Sequence, residues 1–377
     1  MNARAVERPE EELLVAVVTH TVPEPILSRV LEALREDGPA THVVVLYTGA
    51  PESPAARTLD ALCRRLGVDV MPTPRAMRIG EARQFLVERA SPYRFVAFLD
   101  DDCVPLPGWT AAAHRACADP LPTALYFGPR HPAPTSGVGP MVRALETRTS
   151  RKLALAARPG APDAVVDPKA LCAGGNIIVN ISAARELGLT GPVFARTAFE
   201  DVDFQLRAGR HGWAVQFRSR LQVDHYDELD VPVLLRKSWH SGKGMARCAT
   251  LHAAAFWERC RWRPWRALAS WATVLACLTA AVGYPWAAAG ALLPVVLNTC
   301  AHVRELRGTP LRDRAAYLLV KPVRDLIIGL GFVTHYAMGR LLSRPSAHRT
   351  ATRPTPATAP RRGPLDELDR VGTSRTR

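Results

Sequence analysis

Residues 95–102 read Phe95-Val96-Ala97-Phe98-Leu99-Asp100-Asp101-Asp102, an apolar run that ends in three consecutive carboxylates. A short apolar run of this length predicts a β-strand that is buried on both faces. Such strands belong to mostly parallel sheets that helices cover on both sides, so the stretch favours an α/β fold. The carboxylates would then lie beyond the carboxyl end of a strand, where ligands bind in these sheets.

The rest of the chain up to residue 250 alternates between strand and helix patterns. Before the carboxylates, strands are predicted at Leu13 to Thr19, His42 to Tyr47 and Val68 to Met71, and helices at Glu24 to Arg35, Ala55 to Leu66 and Ile79 to Ala90. After them, strands are predicted at Leu125 to Gly128 and Ala214 to Val223, and helices at Ser182 to Leu187 and Glu200 to Arg210, with no element assigned to the stretch Ala173 to Val179. This order predicts right-handed βαβ crossovers. We therefore predict one Rossmann-like α/β domain over residues 13–250, after a flexible segment at residues 1–12.

The C-terminal third has a different pattern, because no charged residue occurs between Ala267 and Val303. Gly283-Tyr284-Pro285 divides this stretch, and arginines flank both of its ends. Since positive charge marks the cytoplasmic side of a membrane, the flanks predict a tight helical hairpin over residues 267–303, with one kinked span as the alternative. The shorter apolar run at residues 326–339 predicts an interfacial or re-entrant element. We expect a membrane-associated helical region over residues 251–343 and a disordered basic tail over residues 344–377.

The formal charge of +14 over 377 residues suits either nucleic acid or an anionic membrane surface. The sequence contains no recognisable nucleic-acid-binding module. Basic residues instead crowd before the apolar stretch, at Arg247, Arg259, Arg261, Arg263 and Arg266. The prediction is therefore a membrane partner and no nucleic acid.

The cysteines and the N-terminus indicate the compartment. The 8 cysteines show no paired C-x-x-C spacing, which argues against a disulfide framework. Residues 1–12 are polar and charged, unlike a signal peptide. We expect a protein at the cell membrane whose catalytic domain faces the cytoplasm.

Three adjacent carboxylates raise one another's pKa and destabilise a fold unless a cation relieves them. Carboxylate oxygens at the end of a strand suit Mg²⁺ or Mn²⁺, with substrate phosphate oxygens completing the coordination. A solvated acidic turn is the other interpretation. The position of Asp100-Asp101-Asp102 after a buried strand favours a metal site.

Two further motifs carry groups that could join such a site. Glu200, Asp201 and Asp203 open a predicted helix, where acidic residues are favoured by the helix dipole and where a carboxylate can also act as a general base. His225 follows a predicted strand; a lone histidine is more often structural, but beside the aspartates it would complete a site that suits Mn²⁺.

A third motif, at residues 236–244, combines basic side chains, one tryptophan and glycines. This combination suits recognition of a diphosphate and a sugar face. A basic stretch next to a membrane is the alternative.

Taken in order, these motifs resemble those of the family 2 glycosyltransferases, which share the GT-A fold. The matching segments are Leu13 to Thr19, Phe98-Leu99-Asp100-Asp101-Asp102, Gly174-Gly175-Asn176, Phe199-Glu200-Asp201-Val202-Asp203 and the basic segment around Trp239. The resemblance implies inverting transfer of a sugar from a nucleotide-diphosphate sugar to a hydroxyl acceptor, with Mn²⁺ or Mg²⁺ as cofactor. The membrane region suggests a lipid-linked or envelope acceptor, and a small molecule stays open.

The resemblance also implies roles for single residues. Asp102 and His225 would bind the metal, Asp201 would be the general base and Glu200 would orient the acceptor. Donor binding would fall to Arg83, Asp100, Asp101, Arg236, Trp239 and Lys243, and the sugar and acceptor side to Gly174, Gly175 and Asn176.

The expected base-recognition residues of the family are absent. Thr19-His20-Thr21 replaces the common Asn near the end of the first strand, and Tyr47-Thr48-Gly49 replaces the Asp after the second. Thr19, His20 and Tyr47 are therefore expected at the base, His20 by hydrogen bonding and Tyr47 by stacking.

Two other functions compete with glycosyl transfer. A nucleotidyltransferase of similar fold would be expected to carry a Gly-rich basic loop after the first strand, and Thr19 to Pro25 contains no such loop. A non-catalytic binding or scaffold protein at the membrane would keep the fold without turnover.

Overall fold

The structure is a computed structural model that describes residues 12–22, 24–38, 41–133, 143–144, 174–190, 199–226, 231–260, 263–284, 290, 296, 306 and 309–342. The predictions for the tail at residues 344–377, and all but the last residue of the predicted N-terminal segment 1–12, fall outside these ranges. Most of the second half of the predicted hairpin, residues 285–303, does so as well.

The described residues form a series of strands and helices. The strands are β1 Leu13–Thr19, β2 His42–Tyr47, β3 Asp69–Pro72, β4 Phe95–Asp100, β5 Cys103–Pro105, β6 Thr123–Phe127, β7 Arg130–Pro132, β8 Asn176–Asn180, β9 Ala214–Phe217 and β10 Val223–His225. The helices are α1 Ile26–Asp37, α2 Pro54–Leu66, α3 Ile79–Arg89, α4 Trp109–Cys117, α5 Ile181–Leu187, α6 Glu200–Arg210, α7 Val231–Leu251, α8 Ala253–Cys260, α9 Arg263–Ala280 and α10 Leu311–Leu342.

The main sheet has seven strands in the order β3-β2-β1-β4-β8-β6-β9. Strands β1 to β4 are parallel to their neighbours within this group, as β6 is to β9, and β8 runs antiparallel to β4 and β6. One face packs on α1, α2 and α4 through residues such as Leu27 and Trp109, and the other on α3, α5 and α6 through Leu86 and Phe204. The prediction of a mostly parallel α/β sheet between helices is confirmed.

The segment predicted as one strand, Ala214 to Val223, forms two strands in different sheets. After β9, Leu221 N–H donates to the Arg218 carbonyl in a turn. The chain then enters β10, the middle strand of a small sheet of order β5-β10-β7. The turn therefore takes the chain out of the main sheet and into β10, which pairs with β5, the strand that follows the carboxylates.

The C-terminal helices pack on the α/β domain. In α7, Gly242 lets α10 approach closely, because a Cβ at this position would lie 2.2 Å from the Ile328 carbonyl oxygen. Residues of α6, α7, α8 and α10 share one core that includes Val202, Met245, Phe256 and Phe332. Residues 326–339 lie within the 32-residue helix α10, and Ile328 and Phe332 are buried in this core. The predicted interfacial or re-entrant position of this run stays a prediction.

No helix within the described ranges has both the length and the apolar composition needed to span a bilayer. The first half of the predicted hairpin lies in and just after α9.

Candidate active site

The three carboxylates lie where β4 ends and the turn to β5 begins. Strands β1 and β4 are parallel neighbours with Val18 opposite Asp100, so both strands end at the same edge of the sheet. The Thr19 hydroxyl, at the end of β1, donates a hydrogen bond to Asp101. Burial raises the pKa of Asp101 to about 6. The hydrogen bond from Thr19 lowers this pKa, and the negative charges of Asp102 and Asp100 raise it further.

The small sheet brings His225 to Asp102. Strands β5 and β10 pair antiparallel with Cys103 opposite His225, and the Tyr226 N–H donates to the Asp102 carbonyl at 2.8 Å. His225 Nε2 lies 3.5 Å from Asp102 Oδ2. Burial alone would raise the pKa of Asp102, but the hydrogen bond and charge of His225, with the charge of Arg130, bring this pKa below its ordinary value.

The group around Asp102 has the composition and spacing of a metal site. Asp102, Cys103 and His225 each offer one ligand atom, and these atoms lie within 4.8 Å of one another. Metal–ligand bonds of about 2.0 to 2.3 Å place neighbouring ligands roughly 3 to 3.5 Å apart, so small movements would let them share one ion. The residues present therefore fit a divalent cation, and the two predicted ligands lie side by side.

Arg83 on α3 joins three parts of the site. Its side chain is buried, and Nη2 donates to Asp100 Oδ1 and to the Gly174 carbonyl, both at 2.8 Å. Nη1 lies 3.9 Å from Glu200 Oε1. Arg83 thus links the strand end, the loop and the helix start, and its predicted contact with the donor stays a prediction.

The predicted general base Asp201 and its neighbour Glu200 are the first two residues of α6. The Val202 N–H donates to Asp201 Oδ1 at 2.8 Å. Burial raises the pKa of Glu200 to about 7, with a further contribution from the charge of Asp201, and the Arg83 charge opposes both. Burial also raises the pKa of Asp201. Two carboxyl groups with raised pKa values beside one strand end are typical of catalytic sites.

Gly174 and Gly175 allow the charged side chains to crowd against the backbone. A Cβ at Gly174 would lie 2.9 Å from Arg83 Nη1 and 3.4 Å from Asp201 Oδ2. A Cβ at Gly175 would lie 2.7 Å from Asp100 Oδ2. The two predicted glycines are thus at the site, Gly174 near Asp201 and Gly175 near Asp100.

Sequence reasoning missed Arg130 and Cys103. Arg130 begins β7, and its Nη1 would lie 3.1 Å from a Cβ at Gly175. Its charge helps to lower the pKa of Asp102 and opposes the rise that burial causes in the pKa of Asp201. The signal that was available is its place just after a buried strand, beyond Gly128-Pro129. Cys103 directly follows the carboxylates, but a cysteine at the start of an apolar stretch resembles an ordinary core residue.

Asn176 does not present its side chain to a sugar. It is 0% exposed, its Oδ1 accepts from Trp109 Nε1 at 3.1 Å, and its Nδ2 donates to the Leu221 carbonyl at 2.7 Å. The predicted sugar contact is therefore corrected to a structural role, because both ends of the amide are occupied in the core.

The predicted base-recognition residues divide into exposed and buried. Tyr47 is 2% exposed, and its hydroxyl lies 2.7 Å from Ser53 Oγ. Its ring belongs to the core, which corrects the predicted stacking on a base. His20 is exposed, with Nδ1 3.3 Å from Thr48 Oγ1, so its contact with a base stays a prediction.

The basic segment around Trp239 is helical, being part of α7. The Trp239 ring packs edge-on against His335 of α10, with ring centroids 5.8 Å apart. It also lies against Gly331. The ring therefore takes part in the packing of α7 on α10, and the predicted donor contact of Trp239 stays a prediction. Arg236 is exposed and Lys243 is partly exposed, and their contact with a donor stays a prediction.

The chain was compared with known proteins. No family model matches it, and no curated protein matches its sequence. Among solved structures, mannosyltransferase PcManGT from Pyrobaculum calidifontis, in complex with GDP-Man and Mn²⁺, is 14% identical with a TM-score of 0.50, over 89% of this chain and 88% of that one. At this identity the likeness concerns the fold. The chain has a GT-A-like fold.

Two other solved structures match over smaller parts. GalNAc-T7 with UDP, GalNAc and Mn²⁺ is 16% identical with a TM-score of 0.47, over 58% of this chain and 44% of that one. Glucosyl-3-phosphoglycerate synthase from Mycobacterium tuberculosis, in complex with phosphoglyceric acid, is 15% identical with a TM-score of 0.44, over 64% and 80% of the two chains. This chain thus spans less than half the length of GalNAc-T7.

Proposed function

We propose that this protein is a metal-dependent glycosyltransferase that moves a sugar from a nucleotide-diphosphate sugar to a hydroxyl acceptor. One observation carries the proposal. The metal-ligand pair Asp102 and His225 and the carboxyl pair Glu200 and Asp201 converge at one edge of the sheet, joined through Asp100 and Arg83. The GT-A-like fold agrees with it, since the P. calidifontis enzyme of this fold was solved with GDP-Man and Mn²⁺.

The proposed metal is Mn²⁺ or Mg²⁺, held by Asp102 and His225. When bound, such a cation stabilises the negative charge that a departing diphosphate gains. The guanidinium of Arg130 lies near Asp100 and adds positive charge on the same side. Asp100 and Asp101 would contact the nucleoside, and the exposed His20, which follows the Asp101 partner Thr19, would contact the base.

The proposed general base is Asp201. Its Oδ1 accepts the Val202 N–H, and its Oδ2 lies towards Gly174. Oδ2 would accept the proton of the acceptor hydroxyl while that oxygen attacks the anomeric carbon. The bond from this carbon to the diphosphate oxygen breaks, which inverts the configuration as in the family 2 enzymes. Glu200 would orient the acceptor, and the raised pKa of Asp201 strengthens it as a base.

The proposed acceptor is lipid-linked or part of the cell envelope, with the active site facing the cytoplasm, and a small-molecule acceptor is the alternative. Large apolar side chains in and after α9 are exposed, among them Leu275, Leu278, Val282 and Tyr284. Exposed apolar side chains of this kind suit contact with a membrane surface. The fraction of the protein that sediments with anionic vesicles should be smaller for the Val282→Asp variant than for the wild type. An unchanged fraction would contradict this part of the proposal.

The decisive variant is Asp201→Asn, assayed for release of nucleotide diphosphate from a donor that the wild-type protein consumes. We expect a loss of about 10²-fold or more, because general-base catalysis is worth about 10² to 10⁴. The control is Asp60→Asn, which removes an exposed carboxylate on α2 and should leave the rate unchanged. An unchanged rate in Asp201→Asn would overturn the assignment of the base.

The same assay separates the competing functions. A nucleotidyltransferase would release pyrophosphate from a nucleoside triphosphate and leave nucleotide sugars intact. A non-catalytic binding protein would bind a donor and release nothing. Either result would contradict the proposed transfer.

A further inference from the structure

The metal site contains a thiol beside its carboxylate and imidazole. Cys103 and His225 are direct partners in the β5–β10 ladder, so their side chains leave the small sheet on the same face. Cys103 Sγ also lies 3.5 Å from Asp102 Oδ1. Among the described residues, Asp102, Cys103 and His225 form the one such group of three ligand atoms.

An ordinary core cysteine does not need this arrangement. Cys103 is 0% exposed and does contact apolar residues, as a packing residue would. Packing alone, however, gives no reason for a sulfur to stand within 4.8 Å of both a carboxylate oxygen and an imidazole nitrogen. Buried polar groups are costly unless they are paired or bind a cation.

We propose that Cys103 is a third protein ligand, so that Asp102, Cys103 and His225 together take a thiophilic divalent ion such as Zn²⁺. Sulfur and imidazole are the usual protein ligands of Zn²⁺, and three protein ligands leave one tetrahedral position for water or a substrate oxygen. The bond to the ion forms at Sγ, and the thiol proton leaves to solvent.

The site would bind two kinds of ion through different sets of ligands. Mn²⁺ and Mg²⁺ prefer oxygen and nitrogen ligands, and they would use Asp102 and His225. Zn²⁺ and Cd²⁺ would gain the sulfur as well, and would compete with Mn²⁺ for the other two ligands. The inference shares residues with the proposed glycosyl transfer but does not require that reaction.

The experiment is a titration of the full chain with Cd²⁺ in the absence of any nucleotide sugar. Coordination by sulfur produces an ultraviolet charge-transfer absorption that carboxylate and imidazole ligands do not produce. We expect this absorption in the wild type and in Cys63→Ser, a control that removes a buried thiol of α2. In Cys103→Ser we expect the absorption that corresponds to one sulfur ligand per chain to be lost. In Asp102→Asn a higher Cd²⁺ concentration should be needed to reach it.

A second measurement needs no variant. The ¹¹³Cd NMR shift of the wild-type complex should indicate one sulfur ligand with nitrogen and oxygen, and prior addition of Zn²⁺ should abolish the signal. Full retention of the absorption in Cys103→Ser, or a shift typical of oxygen and nitrogen ligands alone, would overturn the inference. Because no donor is present, failure of glycosyl transfer with the sulfur signal intact would count against the proposed function only.

Discussion

Glu200 shows how one side chain at the site ties stability to pH. Its folded-state pKa of about 7 lies above the ordinary value of 4.5, mainly because of burial. The folded protein therefore holds this proton more tightly than the unfolded chain does. It loses stability as the pH rises from about 4.5 through about 7.

Glu200→Gln should remove this loss. We expect the variant to have a free energy of unfolding about 1 to 3 kcal/mol higher than the wild type at about pH 8, because a shift of one unit is worth about 1.4 kcal/mol and neighbouring charges offset part of it. The two proteins should converge near pH 4.5. Urea unfolding at both pH values measures the difference, and an equal difference at both would contradict the pKa assignment.

Asn176 provides a test of a structural role against a sugar-binding role. Asn176→Ala leaves Trp109 Nε1 and the Leu221 carbonyl without their partner inside the core. We expect a loss of about 2 to 4 kcal/mol, since each unsatisfied buried group costs about 1 to 3 kcal/mol. Thermal unfolding measures this. Asn180→Ala, which removes the N-cap of α5, is the matched control and should cost about 1 kcal/mol.

The opposite result would support the predicted contact between Asn176 and a sugar. In that case Asn176→Ala would unfold at the wild-type temperature, and the KM for the acceptor would rise.

Residue types at the site were more predictable from sequence than side-chain environments. Asp102 with His225, and Glu200 with Asp201, lie together as the motifs predict. Asn176 follows Gly174-Gly175 and Tyr47 ends β2, both at positions predicted for the site, but their side chains point into the core. A motif fixes the position of the backbone, and whether a neighbouring side chain faces the site or the core depends on packing partners distant in the chain, here Trp109 and Ser53.

At the scale of elements, helix α6 is fixed by a buried ion-pair network. Asp203, in its first turn, accepts from His252 Nε2 at 2.6 Å and pairs with Arg207 at 2.8 Å. All three side chains are mostly buried. Because Asp203 lies two residues after Asp201, this network sets the direction in which α6 presents the proposed base.

His252→Ala should test this control of the helix. We expect a stability loss of about 1 to 3 kcal/mol, because a buried hydrogen bond to a carboxylate is removed. We also expect a lower kcat with little change in the KM for the donor, since the donor side is built on other elements. Steady-state kinetics on the folded variant measures both. A variant with wild-type kcat would show that the network serves stability alone.

Strands of the main sheet such as β1, β2 and β4 could be predicted from the sequence because each is a mostly apolar run of six or seven residues. The small sheet could not, since strands of three residues show no period. The stretch at residues 214–223 is predicted as one strand, and the structure divides it by a local turn, in which Leu221 N–H donates to the Arg218 carbonyl, into strands of two different sheets. It is this turn that brings His225 to Asp102.

At the scale of the whole molecule, helices α7, α8 and α10 share one core with α6. Ile328 and Phe332 of α10 pack with Val202 of α6 and Met245 of α7. Hydrophobic periodicity alone does not distinguish burial against protein from burial in lipid. The membrane association predicted for residues 251–343 therefore stays a proposal. What the sequence does predict at this scale is a mostly parallel sheet between helices, with the three aspartates beyond the carboxyl end of one strand.

The central claim is that Asp102 and His225 hold a cation that binds a nucleotide-diphosphate sugar at this edge. It is tested most directly by thermal unfolding of the wild type and Asp102→Asn with UDP-, GDP- and dTDP-sugars, each with and without Mn²⁺. At a donor concentration 100 times its Kd, binding should stabilise the wild type by about 2.7 kcal/mol, a rise in Tm of several degrees. We predict this rise for at least one donor, only with Mn²⁺ and only in the wild type. A panel in which no donor gives a Mn²⁺-dependent rise, or in which Asp102→Asn shows the same rise, would contradict the claim.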